Sequence, residues 1–126
     1  MMKLLVVDDS ELILSRLVGW LQGIPGMAGI DTAATLAQTR QCVERIHPTL
    51  VILDLHLPDG NAVPLLPVLK QLAPGMKITI LTNDASEFNR AKCLQAGADW
   101  FFDKSTEFDN VLALVHQQAA LPPIIN

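Results

Sequence analysis

The chain has 126 residues, enough for one domain with one core and too few for a second. Nine Lys and Arg stand against thirteen Asp and Glu, a net charge of -4, and the cations are scattered, which argues against a nucleic-acid surface. Hydrophobic residues make up 50% and charged ones 17%, which excludes disorder, yet no apolar run approaches the ~18 residues that span a bilayer.

The first strand is predicted over Leu4 to Val7, an apolar run that Asp8 and Asp9 end before a secretory signal core can form. Ser10 is an N-cap for a helix over Glu11 to Gln22, with Leu12, Ile13, Arg16, Leu17 and Trp20 on its 3.6-residue period. Gly23 and Pro25 stop it. A weaker strand is expected over Ala28 to Ala33, then a second helix over Thr35 to Ile46, halted by His47 and Pro48. Leu50 to Leu53 is the third strand. A third helix is expected near Asn61 to Leu72, with a late start or a kink, because a proline past the first turn removes a hydrogen bond and clashes with the preceding turn. Ile78 to Leu81 is the fourth strand, Ser86 to Gln95 a fourth helix ended by Gly97, and Trp100 to Phe102 the fifth strand. Glu107 to Ala119 makes the fifth helix. In these two helices Phe88, Ala91, Leu94, Val111, Leu114 and Val115 are expected in the core, and any left exposed would mark a docking face between them. Short apolar runs without alternation fit strands covered on both faces, so the β-α order predicts a doubly wound α/β domain over 1–120, with 121–126 a tail or linker stub. Cys42 and Cys93, far apart and outside any metal-ligand spacing, read as reduced cytoplasmic thiols.

In such a sheet, ligands bind at the carboxyl ends of the strands. Asp8, Asp9, Asp54 and Thr82 all follow apolar runs there. If the first and third strands are neighbours, the three carboxylates cluster, and two charges ~5 Å apart repel by about 3 kcal/mol at an effective dielectric near 20. A compensating cation is required: Mg²⁺, which favours carboxylate oxygens, the ammonium of Lys104, or both. A carboxylate beside a cation, with a lysine and a hydroxyl nearby, is the equipment for phosphoryl transfer to aspartate.

The fragments Val6-Val7-Asp8-Asp9-Ser10, Leu53 to Gly60, Ile80-Leu81-Thr82, Gly97-Ala98-Asp99 and Phe101-Phe102-Asp103-Lys104 occur in an order and spacing that resemble the receiver domain of bacterial two-component response regulators. The resemblance runs over essentially the whole chain. It implies a flavodoxin-like (βα)5 fold with strand order 2-1-3-4-5. It implies that Asp54 is the phosphoacceptor, Asp9 a direct Mg²⁺ ligand, Asp8 a ligand through water, and the His56 backbone carbonyl a further ligand. Thr82 then corresponds to the switch hydroxyl, Lys104 to the phosphate-contacting lysine, and Phe101 to an aromatic with either a rotamer-switching or a purely packing role. His56, Asn83 and Asp84 are modulating positions. The implied partners are a sensor histidine kinase and a downstream protein or a second copy, met through the fourth helix, fifth strand and fifth helix; nucleic acid and membrane are not expected.

Three positions depart from the family habit. Asn83 stands where Ala or Gly is usual, and is expected to alter the acyl-phosphate lifetime. Ser105 replaces a frequent proline, so a cis bond before it is not expected, given its cost of ~2.5 to 4 kcal/mol. Ala62 stands where a glycine often opens the third helix. Two alternatives stand beside this: a phosphorylation-independent binding module, which the intact acidic residues disfavour, and a small aspartyl phosphohydrolase of the haloacid-dehalogenase type. The latter carries a second Asp two residues after its nucleophile, where this chain has His56.

Overall fold

Apolar side chains fill both faces of the central strands, and the fold follows from that requirement. The structure, a computed structural model, describes residues 1–122; residues 123–126, most of the expected tail, lie outside it. In chain order the elements are β1 (Met2–Val7), α1 (Glu11–Leu21), β2 (Met27–Ala33), α2 (Leu36–Ile46), β3 (Leu50–Leu53), β4 (His56–Leu57), β5 (Gly60–Asn61), α3 (Leu65–Leu72), β6 (Lys77–Thr82), α4 (Glu87–Ala96), β7 (Trp100–Asp103) and α5 (Phe108–Ala119).

Five strands form one parallel sheet in the order β2-β1-β3-β6-β7, which is the expected 2-1-3-4-5 once the small β4-β5 ladder is set aside. Alternation along β1 shows how two layers of helices attach. Leu5 and Val7 pack with Val43, Leu66, Leu69 and Cys93 of α2, α3 and α4. Leu4 and Val6 pack with Leu17 and Leu21 of α1 and Val111 and Val115 of α5. Strand order reverses at β1, so the connections from β1 and β3 diverge and open a crevice above them.

The third helix does start late. Pro64 sits at its N-cap and Pro67 in its first turn, where a missing N–H costs no intrahelical bond. Asn61, expected as the start of the helix, instead closes an antiparallel β4-β5 hairpin, His56 opposite Asn61 and Leu57 opposite Gly60. Among the described residues no peptide bond is cis.

Two helical faces need correction. In α1 the buried stripe is Leu17 and Leu21, with Ile13 and Leu14 partly covered, while Leu12 is 60% and Trp20 53% exposed. Trp20 rests edge-on against Phe108 of α5, centroids 5.3 Å apart, rather than under the sheet. In α4 the buried residue is Cys93; Phe88 is 67% and Leu94 39% exposed, and Ala91 is exposed too. The α4 backbone is rotated so that Cys93 points to the sheet, which turns the positions one and two residues away outward. Val111, Leu114 and Val115 are buried as expected.

Candidate functional site

The site lies where β1, β3 and β7 end. Asp8 follows β1 directly, its backbone N–H donating to the Ala33 carbonyl at 3.1 Å, and Asp54 follows β3 with its N–H on the Val7 carbonyl at 3.1 Å. The sheet ladder thus continues one residue beyond each strand and fixes where both carboxylates emerge. Lys104 follows β7, its N–H bonded to the Thr82 carbonyl at 2.9 Å.

Asp8 is 3% and Asp54 8% exposed, burial that carboxylates reach only when paired. Lys104 supplies the pairing: its Nζ donates to Asp8 Oδ2 at 2.6 Å and to Asp54 Oδ2 at 2.9 Å. Burial alone would draw the Lys104 ammonium down, but its hydrogen bonds to Asp8 and Asp54 and the charges of both hold it above the ordinary lysine value. Asp8 Oδ1 also accepts the Ser10 N–H at 2.9 Å, just where Ser10 Oγ caps α1 by accepting the Ile13 N–H at 3.3 Å. Asp9 is exposed beside them. One carboxylate oxygen each from Asp8, Asp9 and Asp54 lies within 4.8 Å of the others, so the expected acidic cluster is assembled.

Thr82, the last residue of β6, is buried, and its hydroxyl accepts the Asp84 N–H at 3.1 Å. Asp84 reaches across the mouth of the crevice to His56, Oδ2 to Nε2 2.7 Å. That hydrogen bond from His56 holds the Asp84 carboxyl below the usual carboxylate range, ahead of a slight opposing desolvation. Asn83 is exposed between them. The Phe101 ring is buried in the α4-side core and its carbonyl accepts from Arg90 Nη1 at 3.3 Å.

The His56 backbone can be read from the hairpin. Ala62 N–H donates to the Leu55 carbonyl at 2.8 Å, which makes Leu55 and Ala62 a hydrogen-bonded pair. In an antiparallel ladder such pairs alternate with non-hydrogen-bonded ones. His56 opposite Asn61 is therefore of the second kind, and its carbonyl points away from the ladder. Asp8, Asp9, Asp54, Thr82 and Lys104 thus converge on one crevice, with His56, Asn83 and Asp84 at its rim and Phe101 behind the sheet edge.

Two further acidic residues escaped any assignment of role from the sequence. Asp59, at the hairpin tip, accepts the Leu36 N–H at 2.8 Å and the Ala37 N–H at 3.1 Å, capping α2 from 22 to 23 residues away. Asp99 accepts from Lys70 Nζ at 2.7 Å and from the Ile78 N–H at 2.9 Å at the opposite end of the sheet. Both sit inside the fragments that carry the resemblance; neither has a local partner that would have announced it.

The chain is 31% identical over 82% of its length to the DNA-binding transcriptional activator DevR/DosR of Mycobacterium tuberculosis, of which it spans 48%. Among solved structures, the BeF3-activated receiver domain of DrrB from Thermotoga maritima matches with a TM-score of 0.81 at 26% identity, covering 93% of this chain and 96% of that one. A response regulator from Burkholderia pseudomallei, solved with a phosphorylated aspartic acid, calcium ion and citrate, matches with a TM-score of 0.83 at 25% identity over 95% of this chain and 69% of that one. The chain thus spans about half the length of that curated relative, and 65% of the photosynthetic apparatus regulatory protein RegA of Cereibacter sphaeroides, to which it is 29% identical. Such domains belong to two-component signalling and are not enzymes of the ordinary kind. Among the described residues no helix is long and apolar enough to cross a membrane. With the response regulator receiver domain model matching residues 4–116 over a β2-β1-β3-β6-β7 sheet that gathers Asp8, Asp9, Asp54 and Lys104, the chain belongs to the response regulator receiver family.

Proposed function

We propose that Asp54 accepts a phosphoryl group from a phosphohistidine of a sensor histidine kinase and that the modified domain is read by a downstream protein or a second copy. The observation that carries this is the buried Asp54 carboxylate held at 2.9 Å by Lys104 beside Asp8 and Asp9. A carboxylate oxygen of Asp54 bonds to phosphorus as the bond from phosphorus to the donor imidazole nitrogen breaks; the electron pair leaves with the imidazole, which takes up a proton. Lys104 neutralises the phosphoryl oxygens. Three carboxylates against one ammonium leave two negative charges, and their hard oxygens within reach of one ion fit a divalent cation such as Mg²⁺. Asp9, Asp54 and the outward His56 carbonyl would hold such an ion directly and Asp8 through water, and it would supply charge neutralisation at the phosphoryl oxygens. The phosphorylated aspartic acid and calcium ion of the Burkholderia pseudomallei structure support the reading.

The new phosphate carries about -1.5 to -2 charges, and Thr82 turns its hydroxyl from the Asp84 N–H to a phosphate oxygen while Lys104 follows. The loop after β6 moves with Thr82, and Phe101, buried here, is the ring whose rotamer responds. His56, Asn83 and Asp84 at the rim set how readily water reaches the acyl phosphate. The readout face is α4, β7 and α5, where Phe88, Ala91 and Leu94 stand exposed. Moving a resting 1:99 balance to 99:1 takes about 5.5 kcal/mol, within reach of several charge-assisted contacts. On this reading residues 1–120 are the receiver, 121–126 a tail or linker stub, and the chain works in the cytoplasm.

Intact-mass spectrometry after incubation with acetyl phosphate and Mg²⁺ tests it. The expected result is one phosphoryl adduct that requires Mg²⁺ and is absent from Asp54→Ala. An adduct of equal yield in Asp54→Ala, or none in the wild type, overturns it.

A further inference from the structure

We propose that Asp59 is a positioning residue for the cation site: by bolting the hairpin tip to the N-terminus of α2, it fixes the outward carbonyl of His56. The proposal rests on the magnesium reading above and deepens it. The first N–H groups of α2 have no intrahelical partners. Thr35 Oγ1 accepts the Gln38 N–H at 3.1 Å and the Thr35 carbonyl takes Thr39 N–H at 3.0 Å, which is the local cap. The N–H groups of Leu36 and Ala37 remain. Each is taken by a separate oxygen of Asp59, so the carboxylate is held in a two-point grip at the positive end of the helix.

The grip has a mechanical consequence. The hairpin is only two residues on each side, too short to hold its own shape in water. Its root is fixed, because Asp54 is tied to β1 and Ala62 to Leu55. Its tip is held by Asp59 alone among the hydrogen bonds described there, and packs closely enough that a Cβ at Gly60, φ +139°, would lie 3.4 Å from Leu36 Cδ1. Between root and tip sits His56, at the non-hydrogen-bonded position. With the tip released, the Leu57 side chain in the core and the His56 ring on Asp84 still hold the segment, but neither bonds the His56 carbonyl, whose direction is then no longer fixed by the tip. The relation is that of an outer partner to a metal ligand: it touches neither ion nor phosphate, yet orients a group that does.

The test compares Asp59→Ala with Thr35→Ala, which weakens the same helix terminus through its local cap and leaves the hairpin alone. Mg²⁺ is titrated into the full chain by calorimetry, and Tm is recorded without metal. Outer partners of metal ligands typically carry 10- to 100-fold in affinity, so Asp59→Ala is expected to weaken Mg²⁺ about tenfold. Thr35→Ala should lose Tm comparably with Mg²⁺ affinity unchanged within twofold. Asp59→Asn, which keeps one acceptor oxygen and guards against a variant that does not fold, should fall between. Wild-type affinity in Asp59→Ala and Asp59→Asn, or an equal loss in Thr35→Ala, overturns the positioning role alone. A wild-type chain that binds no Mg²⁺ overturns this proposal together with the reading beneath it.

Discussion

Each end of the sheet carries a lysine joined to aspartate, and the two ends do opposite things. At the amino end, Asp99 has Lys70 at 2.7 Å, Lys77 at 3.8 Å and the Ile78 N–H, while Lys70 also donates to the Met76 carbonyl at 3.0 Å. One acid is surrounded by two cations and a backbone donor, so the cluster is closed. At the carboxyl end, Lys104 alone faces Asp8 and Asp54, with Asp9 beside them. There the acids outnumber the cation, and Asp8 and Asp54 are more deeply buried than Asp99, so charge is left over for a bound cation and an incoming phosphoryl group. Chemistry lives where the pairing is incomplete.

The largest expected effect comes from removing the single ammonium. Lys104→Met leaves two buried carboxylates without their partner and is expected to cost about 3 kcal/mol in metal-free urea unfolding, the lower end for breaking a buried pair. Millimolar Mg²⁺ should recover part of that loss, and no recovery would argue against charge surplus as the organising feature. At the other end Asp99→Asn is expected to cost about 1.5 kcal/mol, as a charged hydrogen-bond acceptor is weakened, with phosphorylation by acetyl phosphate at the wild-type rate. A slowed rate would show that the two ends are coupled.

Acid and base titrations sharpen the contrast further. Lys104 is raised in the folded state, so its contribution is full below the unfolded lysine value of about 10.4 and fades as pH climbs through the higher folded one. Without metal, wild type should therefore lose stability on this alkaline limb and Lys104→Met should not. Asp84 is lowered by His56, so its contribution is present above the unfolded carboxylate value of about 3.9 and is lost as pH falls toward the folded one. Asp84→Asn should flatten the acid limb slightly; an unchanged acid limb would mean that the exposed His56 contact is not maintained in solution. The smallest effect expected concerns Asn83→Ala, which leaves stability alone and changes the decay rate of the acyl phosphate; equal half-lives by mass spectrometry would remove Asn83 from the modulating positions.

How much of this was legible in the chain varies with the range of the interaction. The unalternating runs at Leu4 to Val7 and Leu50 to Leu53 announced strands covered on both faces, and Ser10 and Thr35 marked helix starts, because these signals lie within a few residues of one another. Leu12, Trp20, Phe88 and Leu94 were misplaced for the complementary reason. Helical periodicity groups residues into a stripe but does not say which stripe the sheet will cover. In α1 and α4 that choice went to Leu17, Leu21 and Cys93. The β4-β5 hairpin left no signal in the chain, because strands of two residues are too short to show any alternation.

The site divides along the same line. The chain by itself determined which carboxylates end strands and which lysine follows the last one, since those positions depend on local apolar runs and their polar terminators. It could not determine that Asp59 would be spent on α2 and Asp99 on Lys70, nor that His56 would meet Asp84. Those pairings join residues 22 to 29 positions apart, and in a chain only the packed sheet brings such groups within hydrogen-bond reach. Tertiary structure decided which acids are neutralised and which remain in surplus, because the energy of a charge depends on what surrounds it and not on what precedes it in sequence.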